Sequence, residues 1–164
     1  KECDLNNVTF LQADLYNLPF NDEHFDHVFV CFVLEHLKQP QKVLAELRRV
    51  LKKGGTLVVI EGDHGSVYFH PESNAAMKAI RAQVQLQADN GGDANIGRRL
   101  YPLLREGGYQ DITISPRTIY VDESMPSFVE GFVVNTFTAM IKGIAEEAIA
   151  KKLITKSEMQ QGIE

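Results

Sequence analysis

One stretch, residues 25–64, constrains the fold most, because two apolar runs in it flank a segment with helical periodicity. The first run, Phe25 to Phe32, is typical of a strand that is buried on both faces. Apolar side chains then recur at helical spacing over residues 41–53, and Pro40 precedes them where proline suits a helix start. A β-branched run, Thr56 to Ile60, follows. The stretch therefore predicts a strand–helix–strand unit whose strands are parallel and whose crossover is right-handed.

Further elements are predicted on both sides of this unit. They are a helix end at 1–7, a strand at 8–13, helices at 74–88, 95–106 and 127–150, strands at 109–115 and 117–122 that form an antiparallel hairpin, and a last helix that begins at the capping box of Thr155. Strands that alternate with helices indicate an α/β fold. We expect residues 1–125 to form the α/β domain and residues 126–164 to form a helical extension.

Composition narrows the classes of function. The net charge is −5 and there is no basic block, which argues against a nucleic-acid partner. The two cysteines, Cys3 and Cys31, are too few for a disulfide framework and favour a cytoplasmic setting. No apolar run is expected to reach the roughly 20 residues of a membrane span. The five histidines show no spacing that predicts a metal site.

Four segments, in this order and at this spacing, resemble a known family. They are LQADLYNLPF at 11–20, FDHVFVCFVLEHL at 25–37, LAELRRVLKKGGTLVV at 44–59 and IGRRLYPLLREGGYQDI at 96–112. Residues 8–122 resemble the second half of a class I S-adenosylmethionine-dependent methyltransferase of the small-molecule, ubiquinone-biosynthesis-like group. The resemblance implies a three-layer Rossmann-like fold, here partial, with a mostly parallel sheet and a C-terminal antiparallel hairpin.

The family begins with two strands and a glycine-rich GxGxG loop that this sequence does not contain. The resemblance thus implies a fragment, because those two strands would lie between the strand at 8–13 and the strand at 26–31. An apolar strand that lacks its neighbour has unpaired backbone groups along one edge, and these favour pairing with another strand. We therefore expect the strand at 8–13 to move beside 26–31, or a second copy to cover the edge and form a homodimer through it or through the C-terminal helix.

The resemblance also implies roles for residues at the carboxyl ends of the strands, where α/β sheets bind ligands. The Asp14 carboxylate would accept a hydrogen bond from the adenine amino group, with the Leu15 amide nearby. Cys31 and Phe32 would line the cofactor cleft. The alternatives are a turn aspartate at Asp14 and plain core packing for Cys31 and Phe32. We expect Asp14, Phe32 and Asp63 to form one wall of the pocket.

Two histidines are candidates for catalysis. His36 follows the first central strand and would face the cofactor or the substrate, or else bond to the backbone at a helix start. His64 and Asp63 follow the second, and either would position a substrate or act as a base, since histidine titrates near neutral pH. Arg98 and Arg99 are candidates for holding an acidic substrate, with solvated surface as the alternative.

The resemblance predicts methyl transfer from S-adenosylmethionine to a small-molecule acceptor, by a parent protein of which this chain would be an impaired or inactive part. Such a displacement needs mainly proximity and alignment, so no diagnostic catalytic residue is expected. Two alternatives remain. One is a non-catalytic binding or dimerisation fragment. The other is a nucleotide-cofactor dehydrogenase, although the sequence has no GxGxxG motif.

Overall fold

The computed structural model describes residues 6–164, and the predicted helix end at 1–7 lies largely outside the described residues. Strand β1 (Phe25–Cys31) pairs in parallel with strand β2 (Leu51–Ile60), and helix α1 (Pro40–Val50) connects them. The parallel strand–helix–strand unit is therefore confirmed. The pairing is regular from His27, opposite Thr56, to Cys31, opposite Ile60. Both strands consequently end at the same edge of the sheet.

The other regular elements are helical. They are a 3₁₀ helix at Leu34–His36, α2 at Asn74–Asp89, a 3₁₀ helix at Ile96–Arg99, α3 at Leu100–Glu106, α4 at Pro126–Phe128, a π-helical segment at Val129–Thr138, α5 at Ala139–Ala150 and α6 at Lys156–Ile163. The predicted helices over 74–88, 95–106 and 127–150 thus correspond to observed elements. The capping box is also confirmed, since Thr155 accepts from the Glu158 amide and Glu158 accepts from the Thr155 amide.

The predicted strands outside the central unit are wrong for the described residues. Residues 8–13 form no strand, and neither do 109–115 and 117–122, so the antiparallel hairpin is absent from residues 6–164. A strand satisfies its backbone groups only through a neighbouring strand, and none of the described residues pairs with these segments. Their side chains face solvent instead, as Phe10 and Tyr120 show with exposures of 94% and 72%. Residues 8–13 also do not pair with β1 in place of the two missing strands.

The apolar core has two parts. The first packs one face of the sheet, at Val28, Val30, Leu57 and Val59, against α1 and α3, with Leu34, Leu44, Ile96 and Leu103 at its centre. The second joins α2 to α5 and α6 through Ala79, Ile80, Ile141, Ala148 and Met159. Helices α5 and α6 are therefore packed on α2, and the predicted domain boundary at 125 stays a prediction.

The second face of the sheet is open to solvent. Phe29, Val58 and Ile60 are 64%, 51% and 44% exposed, although they alternate with buried or half-buried neighbours. The prediction that the first central strand is buried on both faces is therefore wrong, because helices cover only one face of the described sheet. Beside this open face lies the long helix that α4, the π-helical segment and α5 form together.

This long helix, Pro126–Ala150, has 25 residues and a mean hydropathy of 1.2 over its most apolar window, of which 6% is buried. By length and composition alone it is compatible with a membrane span, which corrects the expectation that no segment approaches one. A single helix of this kind is weak evidence for a membrane, because core helices meet the same criterion.

Candidate functional site

The candidate site lies where β1 and β2 end. Phe32 follows β1, and its amide donates to the carbonyl of Ile60 at the end of β2, at 2.8 Å. Phe32 has a φ of 51°, in the left-handed region that non-glycine residues seldom adopt, and it is 53% exposed. The backbone then turns into the 3₁₀ helix Leu34–His36. This turn brings residues 32–36 beside residues 61–64, which follow β2.

Glu61 holds the two strand ends together. Its Oε1 accepts hydrogen bonds from the amides of Val33 and Leu34 at 3.0 and 2.8 Å, and its Oε2 accepts from the amide of Glu35 at 3.3 Å. The first amides of a helix have no partner inside the helix, so a carboxylate in this place satisfies three groups at once. Glu61 thereby fixes how the turn after β1 meets the end of β2.

Glu35 is a buried carboxylate, 4% exposed, at the centre of the site. Its Oε2 lies 3.4 Å from Nε2 of His64. That distance allows an ion pair, but the geometry is not that of a hydrogen bond, so Oε2 makes none among the described residues. On the other side, Nε2 of His36 lies 3.6 Å from Oε1. The carboxylate thus stands between two imidazoles, one half-buried in the cleft and one exposed to solvent.

Two glutamines on α2 extend this arrangement. Nδ1 of His64 lies 3.1 Å from Oε1 of Gln83, and Nε2 of Gln83 donates to Oε1 of Gln87 at 2.8 Å. Nε2 of Gln87 in turn donates to the backbone carbonyl of Glu35 at 2.9 Å. We call Glu35, His64, Gln83 and Gln87 the Glu35–His64 ring, because their contacts close on themselves and tie α2 to the site.

The arginines near the site are paired with aspartates. Nε and Nη2 of Arg98 donate to the Asp63 carboxylate at 2.6–3.0 Å, and Nη1 of Arg99 donates to Oδ2 of Asp93 at 2.7 Å. Burial opposes ionisation of Asp63, but hydrogen bonds from Arg98 and Ser66 outweigh it and hold the pKa of the carboxyl below its ordinary value. Neither arginine is therefore free to hold an acidic substrate without first leaving its partner.

A wide cleft of about 3070 Å³ opens from this edge, larger than the 300–1,000 Å³ usual for one small ligand. Its walls are the open face of the sheet, residues 110–121 and the long helix, which contributes Phe132, Phe137 and Met140. The Phe137 ring centroid lies 6.3 Å from that of His64. The cleft therefore has apolar walls and a polar end formed by Glu35, His36 and His64.

The structure brings together only some of the residues that the sequence singled out. Phe32, His36, Asp63 and His64 line the cleft, whereas Asp14, Leu15 and Cys31 are not among its lining residues. Oδ1 of Asp14 accepts from the Tyr16 amide at 2.9 Å, as in the turn alternative. Leu15 packs against the first core, and Cys31 is an exposed free cysteine. The cofactor roles of these three residues stay predictions.

Four residues of the site were not predicted from the sequence: Glu35, Glu61, Gln83 and Gln87. Glu35 stood next to His36 in sequence, but nothing in the sequence showed that it would be buried. Gln83 and Gln87 are spaced i, i+4 on α2, where a polar pair facing a predicted core was an available signal. Among residues 6–164 no group of three or more His, Cys, Asp or Glu side chains is arranged to hold a metal ion.

Comparison with known proteins gives one matching family. Residues 1–59 match the family described as "Methyltransferase domain". The chain is 41% identical over 76 residues to a ubiquinone/menaquinone biosynthesis C-methyltransferase of Pseudomonas aeruginosa, which covers 46% of this chain and 27% of that protein. It is 46% identical over 74 residues to the protein of that name from Azotobacter vinelandii, covering 45% and 26%.

A demethylmenaquinone methyltransferase of Clavibacter sepedonicus is 48% identical over 54 residues, covering 33% of this chain and 22% of that protein. The chain thus matches about a quarter of the length of these relatives.

Proposed function

We propose that the protein transfers a methyl group from S-adenosylmethionine to a small-molecule acceptor, on the premise that residues 1–59 match the methyltransferase domain family. The observation that carries the proposal is the polar end of the cleft. Phe32, Glu35 and His36 after β1, and Asp63 and His64 after β2, all line it. Ligands of α/β sheets bind at this edge. The position and lining of this cleft, which begins at the end of the matched segment, support the binding of a ligand there.

The chemistry of this end fits such a donor. The buried Oε2 of Glu35 lacks a hydrogen-bond donor among residues 6–164, so a ligand that carries positive charge or an N–H group would satisfy it. When bound, S-adenosylmethionine supplies an activated methyl group. Phe32 and His36 would hold the donor, together with Asp14, Leu15 and Cys31 if those residues join the cleft. The contribution of the protein is then to hold the two reactants in line.

The acceptor that we propose is an apolar ring compound, methylated on carbon. The support is twofold: relatives are named for ubiquinone and menaquinone biosynthesis and for C-methyl transfer, and the cleft walls carry Phe132, Phe137 and Met140. The proposal also includes a cytoplasmic setting and a homodimer.

A second candidate, a binding or dimerisation module, is favoured by the open face of the sheet with Phe29 at 64% exposure. The matched relatives are methyltransferases, so they favour the first candidate over this one and over the dehydrogenase.

Calorimetry with S-adenosylmethionine tests the proposal. We expect saturable binding by the full chain, weakened about tenfold by Phe32→Ala, because this variant removes an exposed aromatic ring from the cleft. Phe10→Ala is the matched control, since Phe10 is also exposed but does not line the cleft, and it should bind as the wild type does. Absence of binding by the wild-type chain would reject methyl transfer by this chain and favour the binding module.

A further inference from the structure

The directions of the hydrogen bonds in the Glu35–His64 ring are determined by its chemistry. The carbonyl of Glu35 can only accept, so the amide nitrogen of Gln87 must face it, and Oε1 of Gln87 then faces Gln83. Gln83 must therefore turn its own amide nitrogen to Gln87 and its Oε1 to His64. Because Oε1 of Gln83 is an acceptor, Nδ1 of His64 has to carry a proton.

These hydrogen bonds do not determine whether the second imidazole nitrogen of His64, Nε2, carries a proton. Nε2 of His64 faces Oε2 of Glu35 at 3.4 Å, and that oxygen is buried without a hydrogen bond among residues 6–164. A neutral imidazole with Nδ1 protonated leaves Nε2 bare beside a carboxylate. One proton added between these two atoms would pair both of them. The two atoms are therefore placed to share a single proton.

Among residues 6–164, the other charged groups around the pair form no hydrogen bond to Oε2 of Glu35. His36 approaches the other oxygen of Glu35 at 3.6 Å and is 64% exposed, so it connects the carboxylate to solvent. Glu61 is occupied by three amides, and Asp63 is occupied by Arg98. The amide of Asp93 donates to the carbonyl of Glu35, while the Asp93 carboxylate pairs with Arg99. On the side of the long helix, the ring centroid of Phe137 lies 6.3 Å from that of His64.

We propose that His64 takes up the proton that the methyl acceptor loses, and that Glu35, Gln83 and Gln87 are positioning residues for it; this rests on the proposed function. The C–H bond at the acceptor carbon that is methylated breaks, and its proton goes to Nε2 of His64. The electron pair stays on the acceptor and forms the new bond to the methyl carbon. The bond from sulfur to that methyl carbon breaks, and its electron pair neutralises the sulfonium. The proton then leaves through Glu35 and His36 to solvent.

The positioning of His64 by Gln83 is tested by nitrogen NMR of the imidazole side chains in the full chain. At a pH where His64 is neutral, we expect Nδ1 to be protonated and Nε2 to be bare. Gln83→Met should lose this tautomer because the acceptor is gone, whereas Gln83→Glu keeps an acceptor oxygen and should retain it. Gln85→Met is the control on the same helix, because Gln85 is exposed and bonds to Asp89. A wild-type protein in which the neutral imidazole of His64 is protonated on Nε2 instead of Nδ1 would overturn the assignment.

The role of His64 as proton acceptor is tested by turnover with S-adenosylmethionine as the donor and demethylmenaquinone as the probe acceptor. Glu35→Gln keeps the size of the side chain but cannot stabilise a charged imidazole, so we expect the rate to fall about 100-fold and its pH dependence to flatten. The rates are compared at saturating S-adenosylmethionine, so that weaker binding of the donor by Glu35→Gln does not enter them, and Gln85→Met should keep the wild-type rate. Wild-type turnover that Glu35→Gln leaves unchanged would overturn this role and keep the proposed function. Absence of wild-type turnover would instead reject the function itself, while NMR still decides the tautomer.

Discussion

At the scale of single residues, Glu61 shows how one side chain can determine the geometry of a site. Its carboxylate accepts from three successive amides of the turn after β1, at 2.8–3.3 Å. The amides belong to residues about 27 positions away in sequence. No spacing rule connects Glu61 to them, so the sequence identified the strand end but not the bond that shapes it.

Glu61→Gln should destabilise the protein by about 1.5–3 kcal/mol, because an amide has only one acceptor oxygen and turns its NH₂ group toward a donor. Urea unfolding followed by circular dichroism measures this loss. Glu146→Gln, an exposed change on α5, should leave the midpoint within the error of the wild type. Equal midpoints for Glu61→Gln and the wild type would show that the turn after β1 does not depend on this carboxylate.

Tyr109 gives a second prediction at this scale. Its hydroxyl donates to the carbonyl of Leu44 on α1 at 2.8 Å, and burial raises the pKa of the phenol from 10.0 to about 12. The unfolded chain then loses this proton at lower pH than the folded chain, so folding stability falls as pH rises from 10 toward 12. Tyr109→Phe should cost about 1 kcal/mol at neutral pH and reduce this alkaline loss. Denaturant midpoints across that range measure it, and an unchanged slope would contradict the assignment.

At the scale of elements, helices were predicted well, whereas strands were predicted correctly only in the central unit. A helix bonds its backbone internally, so the apolar stripe of residues 41–50 and the capping box at Thr155 are sufficient signals. A strand needs a neighbour, and residues 8–13 and 109–122 have strand-like sequences without one among the described residues. The end of α1 was predicted three residues late, because β2 already begins at Leu51.

Replacement of glycine by alanine is expected to have opposite effects on stability at two positions of the C-terminal helices. A Cβ on Gly162 of α6 would come within 2.5 Å of the carbonyl oxygen of Ala75 on α2, whereas one on Gly143 of α5 would meet nothing within 4 Å. Gly162→Ala should therefore force α6 away from α2 and cost about 1–3 kcal/mol. Gly143→Ala should add about 1 kcal/mol through helix propensity alone. Thermal unfolding of both variants tests the pair, and equal shifts would refute close α2–α6 packing.

At the scale of the whole molecule, the sequence placed the cleft but did not show its walls. Residues after β1 and β2 were expected at one edge because parallel strands end together, and Phe32, His36, Asp63 and His64 do line one cleft. The exposure of the second sheet face was missed, because the sequence of a strand does not show which of its faces another part of the chain will cover. The buried position of Glu35 was missed for the same reason.

That open face leads to the last prediction. Phe29 lies opposite Val58 and Cys31 lies opposite Ile60, so the exposed apolar side chains are adjacent across the two strands. Apolar patches and unpaired strand edges favour association. We expect the chain to form dimers or larger species as its concentration rises, and Phe29→Ser to shift light-scattering masses toward the monomer. Phe10→Ser, at a more exposed aromatic outside the sheet, should shift them less. A wild-type chain that stays monomeric at every concentration would show that this face is stable in water.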